Sequence, residues 1–220
     1  MASTAADAPN LAELRRDYAL KTLDEGEVDR DPLKQFGTWM FEAIQAQVPE
    51  PTAMTLATAD AKGRPSARIV LLKGLDPRGF VFYTNYQSRK GKNLAQNPLA
   101  AMTFLWKELE RQVRIEGKIE KVTPQESAAY YATRPLGSRI GAWASPQSVV
   151  VAGQSWLIKT FQYYTERFKH GKIPKPPHWG GYRVKPVRIE FWQGRPNRMH
   201  DRILYTEANQ GSWKIERLAP

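Results

Sequence analysis

Apolar residues near the start of the chain recur every three or four positions, which predicts two helices. The first lies within about residues 10–24. The second begins at Asp31 and Pro32, because proline at the first helical position sacrifices no hydrogen bond. The predicted buried stripe of this second helix consists of Leu33, Phe36, Met40 and Ile44.

From residue 52 onward the apolar period shortens toward two, which predicts β-strands. After a first strand near Met54 and Leu56, strands are predicted over residues 67–73, 80–84, 99–106, 112–122, 182–192, 198–205 and 213–217. Helices interrupt them after the cap residue Ser88 and over residues 124–133 and 154–169. This pattern favours one domain of residues 1–220 that is mainly β with flanking helices, a small antiparallel barrel.

Composition narrows the kinds of chemistry that the chain can support. It has 220 residues, no cysteine and a formal net charge of +11. The lack of cysteine excludes disulfides, zinc–thiolate sites and cysteine nucleophiles, and it suits a cytoplasmic protein. The positive charge favours nucleic acid, an acidic membrane surface or small phosphorylated ligands as partners. No apolar run approaches the roughly 20 residues of a membrane span, so we expect no membrane insertion.

Several common functional motifs are missing from the sequence. It contains no glycine-rich dinucleotide-binding loop, no Walker-type phosphate loop and no serine in a nucleophile elbow. Its three histidines, His170, His178 and His200, lack the spacing of a zinc site, so we expect no metal.

Three groups of residues combine cations with hydroxyl or aromatic side chains. The first follows the strand that ends near Tyr83 and Thr84, where Arg89 and Lys90 occupy the first turn of a helix. Cations at this end oppose the helix dipole, and a bound phosphate would explain them. The alternative is a solvated and mildly unfavourable pair.

The second group is Tyr130, Arg134 and Ser138, spaced by four residues each. Tyr130 and Arg134 share a helix face, and an arginine fork suits a phosphate. Taken alone, an exposed arginine at a helix end explains this spacing equally well.

The third group is Arg198, His200 and Arg202, which would project from one face if residues 198–205 form a strand. Two guanidiniums beside an imidazole favour an anionic or electron-rich ligand, with Trp192 as an aromatic wall; a solvated surface strand is the alternative.

Arg68 and Lys73 differ by five residues and so would face opposite sides of a regular strand. Either a bulge separates them or they serve different ligands.

Short segments spread along the chain carry a family resemblance. They are residues 14–18, 68–73, 82–85, 88–90, 110–113, 138–143, 147–148, 179–181, 191–194, 198–202 and 217–220. In this order and at this spacing they resemble the pyridoxamine/pyridoxine phosphate oxidases. Met199 stands where leucine is usual, and Pro146 stands where a basic residue is more frequent.

The resemblance implies an FMN-binding split barrel that works as a homodimer with flavin sites at the subunit interface. The implied flavin contacts are Arg68, Ile69, Val70, Leu71, Leu72, Lys73, Tyr83, Thr84, Arg89, Lys90, Gln112, Gln147, Ser148, Trp192 and Arg202. The implied substrate contacts are Arg15, Arg16, Asp17, Tyr18, Lys73, Tyr130, Arg134, Ser138, Arg198, Met199 and His200. Residues 15–18 would close over the site as a lid.

The implied reaction oxidises pyridoxamine phosphate or pyridoxine phosphate to pyridoxal phosphate and reduces oxygen to hydrogen peroxide. Arg198 and His200 would be the catalytic residues. One alternative is another split-barrel flavoprotein, such as a reductase using a nicotinamide or deazaflavin cofactor, which gives no reason for the second and third groups. The other is a basic nucleic-acid-binding barrel, which would be colourless.

Overall fold

The computed structural model describes residues 17–208 and 211–220, and within these ranges the chain forms five α-helices and nine β-strands. The helices are α1 (Pro32–Gln45), α2 (Arg89–Gln96), α3 (Pro124–Thr133), α4 (Leu136–Ala144) and α5 (Gln154–Arg167). The strands are β1 (Ala53–Ala59), β2 (Pro65–Leu71), β3 (Gly74–Asp76), β4 (Gly79–Asn85), β5 (Leu99–Trp106), β6 (Arg111–Lys121), β7 (Trp179–Gln193), β8 (Asp201–Glu207) and β9 (Trp213–Arg217).

All strand pairs are antiparallel, and β7 organises the sheet. The strand order is β2-β1-β5-β6-β7-β4-β3, with β8 on β7 and β9 on β8. One edge of β7 pairs with β6, while the other edge pairs first with β4 and then with β8. The prediction of a mainly β, antiparallel split barrel with flanking helices is confirmed.

Helix α1 covers the core of this half-barrel. Phe36 is fully buried and its ring meets those of Phe80 and Phe104 at centroid distances of 4.9 and 5.0 Å. Fully burying such a side chain contributes roughly 1.5–3 kcal/mol. The predicted stripe is wrong at Ile44, which is 52% exposed, because Trp39 and Ala43 are the residues of the last turns that face the core.

Local signals located several elements correctly. Residues 99–106, 124–133 and 213–217 have the predicted bounds, and the Thr123–Glu126 capping box at the start of α3 is present. Ser88 caps α2 as predicted, accepting a hydrogen bond from the Gly91 amide. These elements depend on contacts between near neighbours, which a sequence displays directly.

One predicted strand has the wrong start, and one helix has no counterpart among the predicted elements. The strand predicted over residues 198–205 begins only at Asp201, because Asn197 and Arg198 have left-handed backbones, with φ of 55° and 60°. Arg198, His200 and Arg202 therefore do not share a strand face. Helix α4 has no counterpart among the elements predicted from the sequence; its N-cap residue is Pro135.

The predicted N-terminal helix lies partly outside the described residues, which begin at Asp17; residues 17–24 contain no helix. None of the described helices is long and apolar enough to span a membrane.

Candidate active site

Strand β2 and the start of α2 bring Arg68, Arg89 and Lys90 into one group. Arg68 donates from Nη1 to the Leu56 carbonyl and to Thr58 Oγ1, both at 2.9 Å. These bonds hold its guanidinium in place. Charge effects between Arg68 and each of the other two cations show that the three lie close together.

The electrostatics of this group favour an anion. Burial, followed by the charge of Arg68, lowers the pKa of Lys90. Burial, followed by the charge of Arg89, lowers the pKa of Arg68. No carboxylate of the described residues contributes to either shift. The Lys90 Nζ donates at 3.1 Å to Thr84 Oγ1 and to Gln147 Oε1.

A cavity of about 450 Å³ opens beside Lys90, whereas Arg68 and Arg89 are not among its lining residues. Many of the residues that line it are ones for which the sequence predicts a binding role: Ile69, Val70, Leu71, Lys73, Tyr83, Thr84, Lys90, Tyr130, Arg134, Ser138 and Gln147. Ile69 and Leu71 are 65% and 36% exposed, which gives β2 an apolar face. Leu72, by contrast, packs in the hydrophobic core. Lys73 follows the end of β2, so strand alternation does not separate it from Arg68.

Arg134 is held against a column of aromatic rings. The Tyr83 ring stacks on Tyr130 at 4.0 Å and on Trp179 at 5.4 Å. The Arg134 guanidinium lies 4.8 Å from the centre of the Trp179 ring. Its Nη1 is buried and makes no hydrogen bond, and burial lowers the pKa of Arg134. A buried N–H group without a partner costs roughly 1–3 kcal/mol, and an anion bound to Arg134 would remove this cost.

Helix α4 supplies a wall of small side chains. Ser138, in the first turn, where backbone N–H groups lack helical partners, lines the cavity together with Gly141, Ala142 and the C-cap residue Ser145. Sequence reasoning assigned no role to the last three, nor to Asn85 and Trp179, which also line it. The small residues three and four apart after Pro135 are the signal that could have located α4.

The remaining predicted residues gather at the other end of β7. Trp192 pairs with Gln112 on β6 and with Arg202 on β8. The centre of the His200 ring lies 4.6 Å from that of the Trp192 ring. The Tyr18 ring contacts both rings edge-on, with centroid distances of 5.7 Å to Trp192 and 6.0 Å to His200. The predicted aromatic wall for His200 is therefore present, although the strand face that suggested it is not.

His200 is fixed through its Nδ1. The backbone N–H of Arg195 donates to this atom at 3.1 Å. Burial first, and then the charges of Arg198 and Arg202, lower the pKa of His200 below its ordinary 6.5. Arg198 is exposed, as is Met199 at 67%. Arg202 is bound within its own chain, to Glu190 and to the Ala219 carbonyl.

The two groups of residues are far apart in one chain. Trp179 and Trp192 are thirteen residues apart along β7, which is roughly 40 Å of strand at about 3.3 Å per residue. Ser148 is exposed and does not line the cavity, and Asp17 is exposed. Arg15 and Arg16 lie outside the described residues. Across residues 17–208 and 211–220 no cluster of His, Cys, Asp or Glu is placed to hold a metal.

Comparison with known proteins gives one consistent family. A family model described as pyridoxamine 5′-phosphate oxidase matches residues 40–168, and one described as the pyridoxine 5′-phosphate oxidase C-terminal dimerisation region matches residues 179–220. The pyridoxine/pyridoxamine 5′-phosphate oxidase of Paraburkholderia xenovorans is 59% identical over 212 residues, covering 96% of this chain and 99% of that protein. The same-named protein of Cupriavidus necator is 59% identical over 210 residues, with the same coverage of each chain.

Solved structures agree on the fold. PhzG from Burkholderia lata, in complex with tetrahydrophenazine-1-carboxylic acid, is 28% identical with a TM-score of 0.86, covering 91% of this chain and 99% of that one. A pyridoxamine 5′-phosphate oxidase-related, FMN-binding protein from Nostoc punctiforme is 17% identical with a TM-score of 0.69, covering 88% and 100%. Both family models and the similarity over nearly the whole length lead to one conclusion: the chain belongs to the pyridoxine/pyridoxamine 5′-phosphate oxidase family.

Proposed function

We propose that this protein is an FMN-dependent oxidase that converts pyridoxamine phosphate and pyridoxine phosphate into pyridoxal phosphate. The observation that carries the proposal is the buried, unpartnered Nη1 of Arg134 at a cavity that is also lined by Lys90, whose pKa is lowered by burial and by the charge of Arg68. Two anion sites at one cavity suit a phosphorylated cofactor and a phosphorylated substrate together.

The residues present fit FMN. Arg68, Arg89 and Lys90 would hold its phosphate, with Tyr83 and Thr84 beside them. The apolar face of β2, with Ile69 and Leu71 exposed, offers the surface that an isoalloxazine ring needs. FMN, when bound, accepts a hydride from the substrate and passes the electrons to oxygen.

The substrate phosphate would be held by Lys73, Tyr130, Arg134 and Ser138. All four line the same cavity. An arginine fork and two hydroxyls give a phosphate several charge-assisted hydrogen bonds, and this remote binding energy orients the carbon to be oxidised.

Arg198 and His200 would act on the substrate ring from a second copy of the chain. Within one chain they lie at the opposite end of β7 from the cavity. The match of residues 179–220 to a dimerisation region supports a homodimer in which one copy completes the site of the other. Neutral His200 would donate a hydrogen bond from Nε2, and Arg198 would stabilise negative charge that develops on the substrate.

The balanced reaction takes pyridoxine phosphate and O₂ to pyridoxal phosphate and H₂O₂. With pyridoxamine phosphate, water is also consumed and ammonia is released. The cysteine-free sequence suits a reducing cytoplasm, where we expect the enzyme to work.

A second candidate is oxidation of a reduced phenazine carboxylate, because PhzG has a similar fold over nearly the whole chain. The Tyr130, Arg134 and Ser138 group favours a phosphorylated substrate instead. The 59% identity to pyridoxine/pyridoxamine 5′-phosphate oxidases, against 28% to PhzG, points the same way.

An anaerobic titration of the purified yellow protein with pyridoxine phosphate tests the proposal. The visible flavin bands should bleach with substrate and return when air is admitted. A yellow protein that does not bleach would refute the substrate, and a protein that stays colourless after FMN is added would refute the cofactor. Bleaching by tetrahydrophenazine-1-carboxylic acid alone would favour the second candidate.

A further inference from the structure

The segment that leads from Asp17 to Leu23 has no helix or strand, yet its backbone is fixed at several points. The amides of Ala19 and Leu20 donate to Oε2 of Glu110 at 2.8 and 3.1 Å. The Leu23 amide donates to Asp201 Oδ2 at 3.1 Å. Hydrogen bonds to a carboxylate are among the stronger ones in proteins.

Glu110 is itself held rigidly. It is 4% exposed and adopts a left-handed backbone, with φ of 54°. Its carbonyl accepts hydrogen bonds from the Gly194 amide at 2.8 Å and from the Gln193 side chain at 3.2 Å. The carboxylate is therefore presented to the segment by a backbone that is bonded to the end of β7.

The segment packs tightly against the backbone at Gly194. A Cβ atom added at Gly194 would lie 2.7 Å from Cβ and Cγ of Tyr18 and 3.1 Å from Cβ of Glu110. Tyr18 therefore lies directly on Gly194, with its ring against Trp192 and His200. The position of Tyr18 over the imidazole depends on where the next two residues are anchored.

We propose that Glu110 is a positioning residue for the active site: its carboxylate fixes residues 19 and 20 so that Tyr18 covers His200 and Trp192. This inference rests on the proposed function for its kinetic consequences but not for its structural one. Glu110 acts through Tyr18 and needs no contact with the substrate.

The test compares Glu110→Ala and the volume-conserving Glu110→Gln with the wild-type holoenzyme. Glu108→Ala, an exposed glutamate in the same turn, is the matched control. We expect the KM for pyridoxine phosphate to rise roughly tenfold in Glu110→Ala and less in Glu110→Gln, with kcat and flavin content changed much less. Limited trypsin digestion, followed by mass spectrometry, should show faster cleavage after Lys21 in both Glu110 variants only.

A double variant shows whether Glu110 acts through Tyr18. In a Tyr18→Ala background, Glu110→Ala should raise KM little further, because the two changes remove one interaction. Unchanged KM and unchanged cleavage after Lys21 in both single variants would overturn the proposal. Faster cleavage with unchanged KM would overturn the positioning role. If the wild-type protein does not oxidise pyridoxine phosphate, the proposed function fails, while the cleavage result still decides whether Glu110 anchors the segment.

Discussion

The backbone amide of Arg195 donates to Nδ1 of His200, with 3.1 Å between the two nitrogen atoms. Because this bond uses the Nδ1 lone pair, the proton of the neutral ring lies on Nε2. Protonation of Nδ1 would break the bond, and the charges of Arg198 and Arg202 oppose a further positive charge on the ring. The fold therefore presents His200 as a neutral hydrogen-bond donor.

We expect His200 to carry its proton on Nε2 at pH 7 and to titrate below its ordinary pKa of 6.5. Burial and the neighbouring arginines lower this pKa, so the neutral ring persists until the pH falls through the lowered value. Nitrogen-15 NMR of the imidazole reports both tautomer and titration. Arg198→Ala should raise the pKa of His200, because it removes a nearby cation. Titration at or above 6.5 in the wild-type protein would contradict this.

At Arg198 the backbone conformation lowers the stability of the fold, whereas the side chain should be needed for turnover. Its φ of 60° lies in the left-handed region, which costs a non-glycine residue roughly 1–3 kcal/mol. We expect Arg198→Gly to fold at least as stably as Arg198→Ala. Turnover should fall roughly 10²-fold or more in both variants, with flavin content retained. Thermal unfolding and steady-state kinetics measure the two effects.

The control for Arg198 is its neighbour in the same turn. Asn197 also has a left-handed backbone, with φ of 55°. Asn197→Gly relieves strain of the same kind and leaves the guanidinium of Arg198 in place, so most of the turnover should remain. Equal loss of turnover in Asn197→Gly and Arg198→Gly would show that the shape of the turn matters, and not the guanidinium.

The sequence predicted elements whose stability depends on near neighbours. The capping box at Thr123 and Glu126 begins α3 at the predicted residue, and the alternation over residues 99–106 located β5. The error at Ile44 has a different origin, because an exposed isoleucine at the end of a helix costs little free energy. Periodicity alone could not choose between Ala43 and Ile44.

The arrangement of the site was less predictable, since it depends on contacts between distant residues. Trp179 is 45 positions from Arg134, and neither local sequence indicates that their side chains stack. The left-handed backbone of Arg198 is a conformation that an arginine rarely adopts, so the sequence does not predict this turn. The family resemblance implies roles for Arg198 and His200 but does not give this geometry.

Replacing Arg134 with methionine should weaken substrate binding with little effect on stability. The lost stacking on Trp179 is offset by removal of a buried N–H group that has no partner, so the free energy of unfolding without ligand should change by about 1 kcal/mol or less. The KM for pyridoxine phosphate should rise roughly 10- to 100-fold, because a charged hydrogen-bonding group is lost. Arg64→Met, at an exposed turn, is the control. A KM unchanged by Arg134→Met would remove Arg134 from the substrate site.

Orthophosphate should stabilise the flavin-free protein through Lys90. Burial and then the charge of Arg68 lower the pKa of Lys90. Below this lowered pKa the side chain is charged in both the folded and the unfolded chain, but its charge costs free energy only in the folded one. At a phosphate concentration 100 times its Kd, the gain should be about 2.7 kcal/mol. Thermal unfolding with increasing phosphate measures it.

Two variants and the pH dependence of stability test whether Lys90 is responsible for this stabilisation. Lys90→Met should lose most of the phosphate effect, whereas Lys92→Met, an exposed lysine of the same helix, should keep it. Without phosphate, the unfolded chain binds the Lys90 proton more tightly than the folded one. The contribution of Lys90 to stability should therefore rise with pH between its lowered pKa and about 10.4. Equal stabilisation of both variants by phosphate would show that the anion binds elsewhere, and the assignment of Lys90 to the flavin phosphate would then fail.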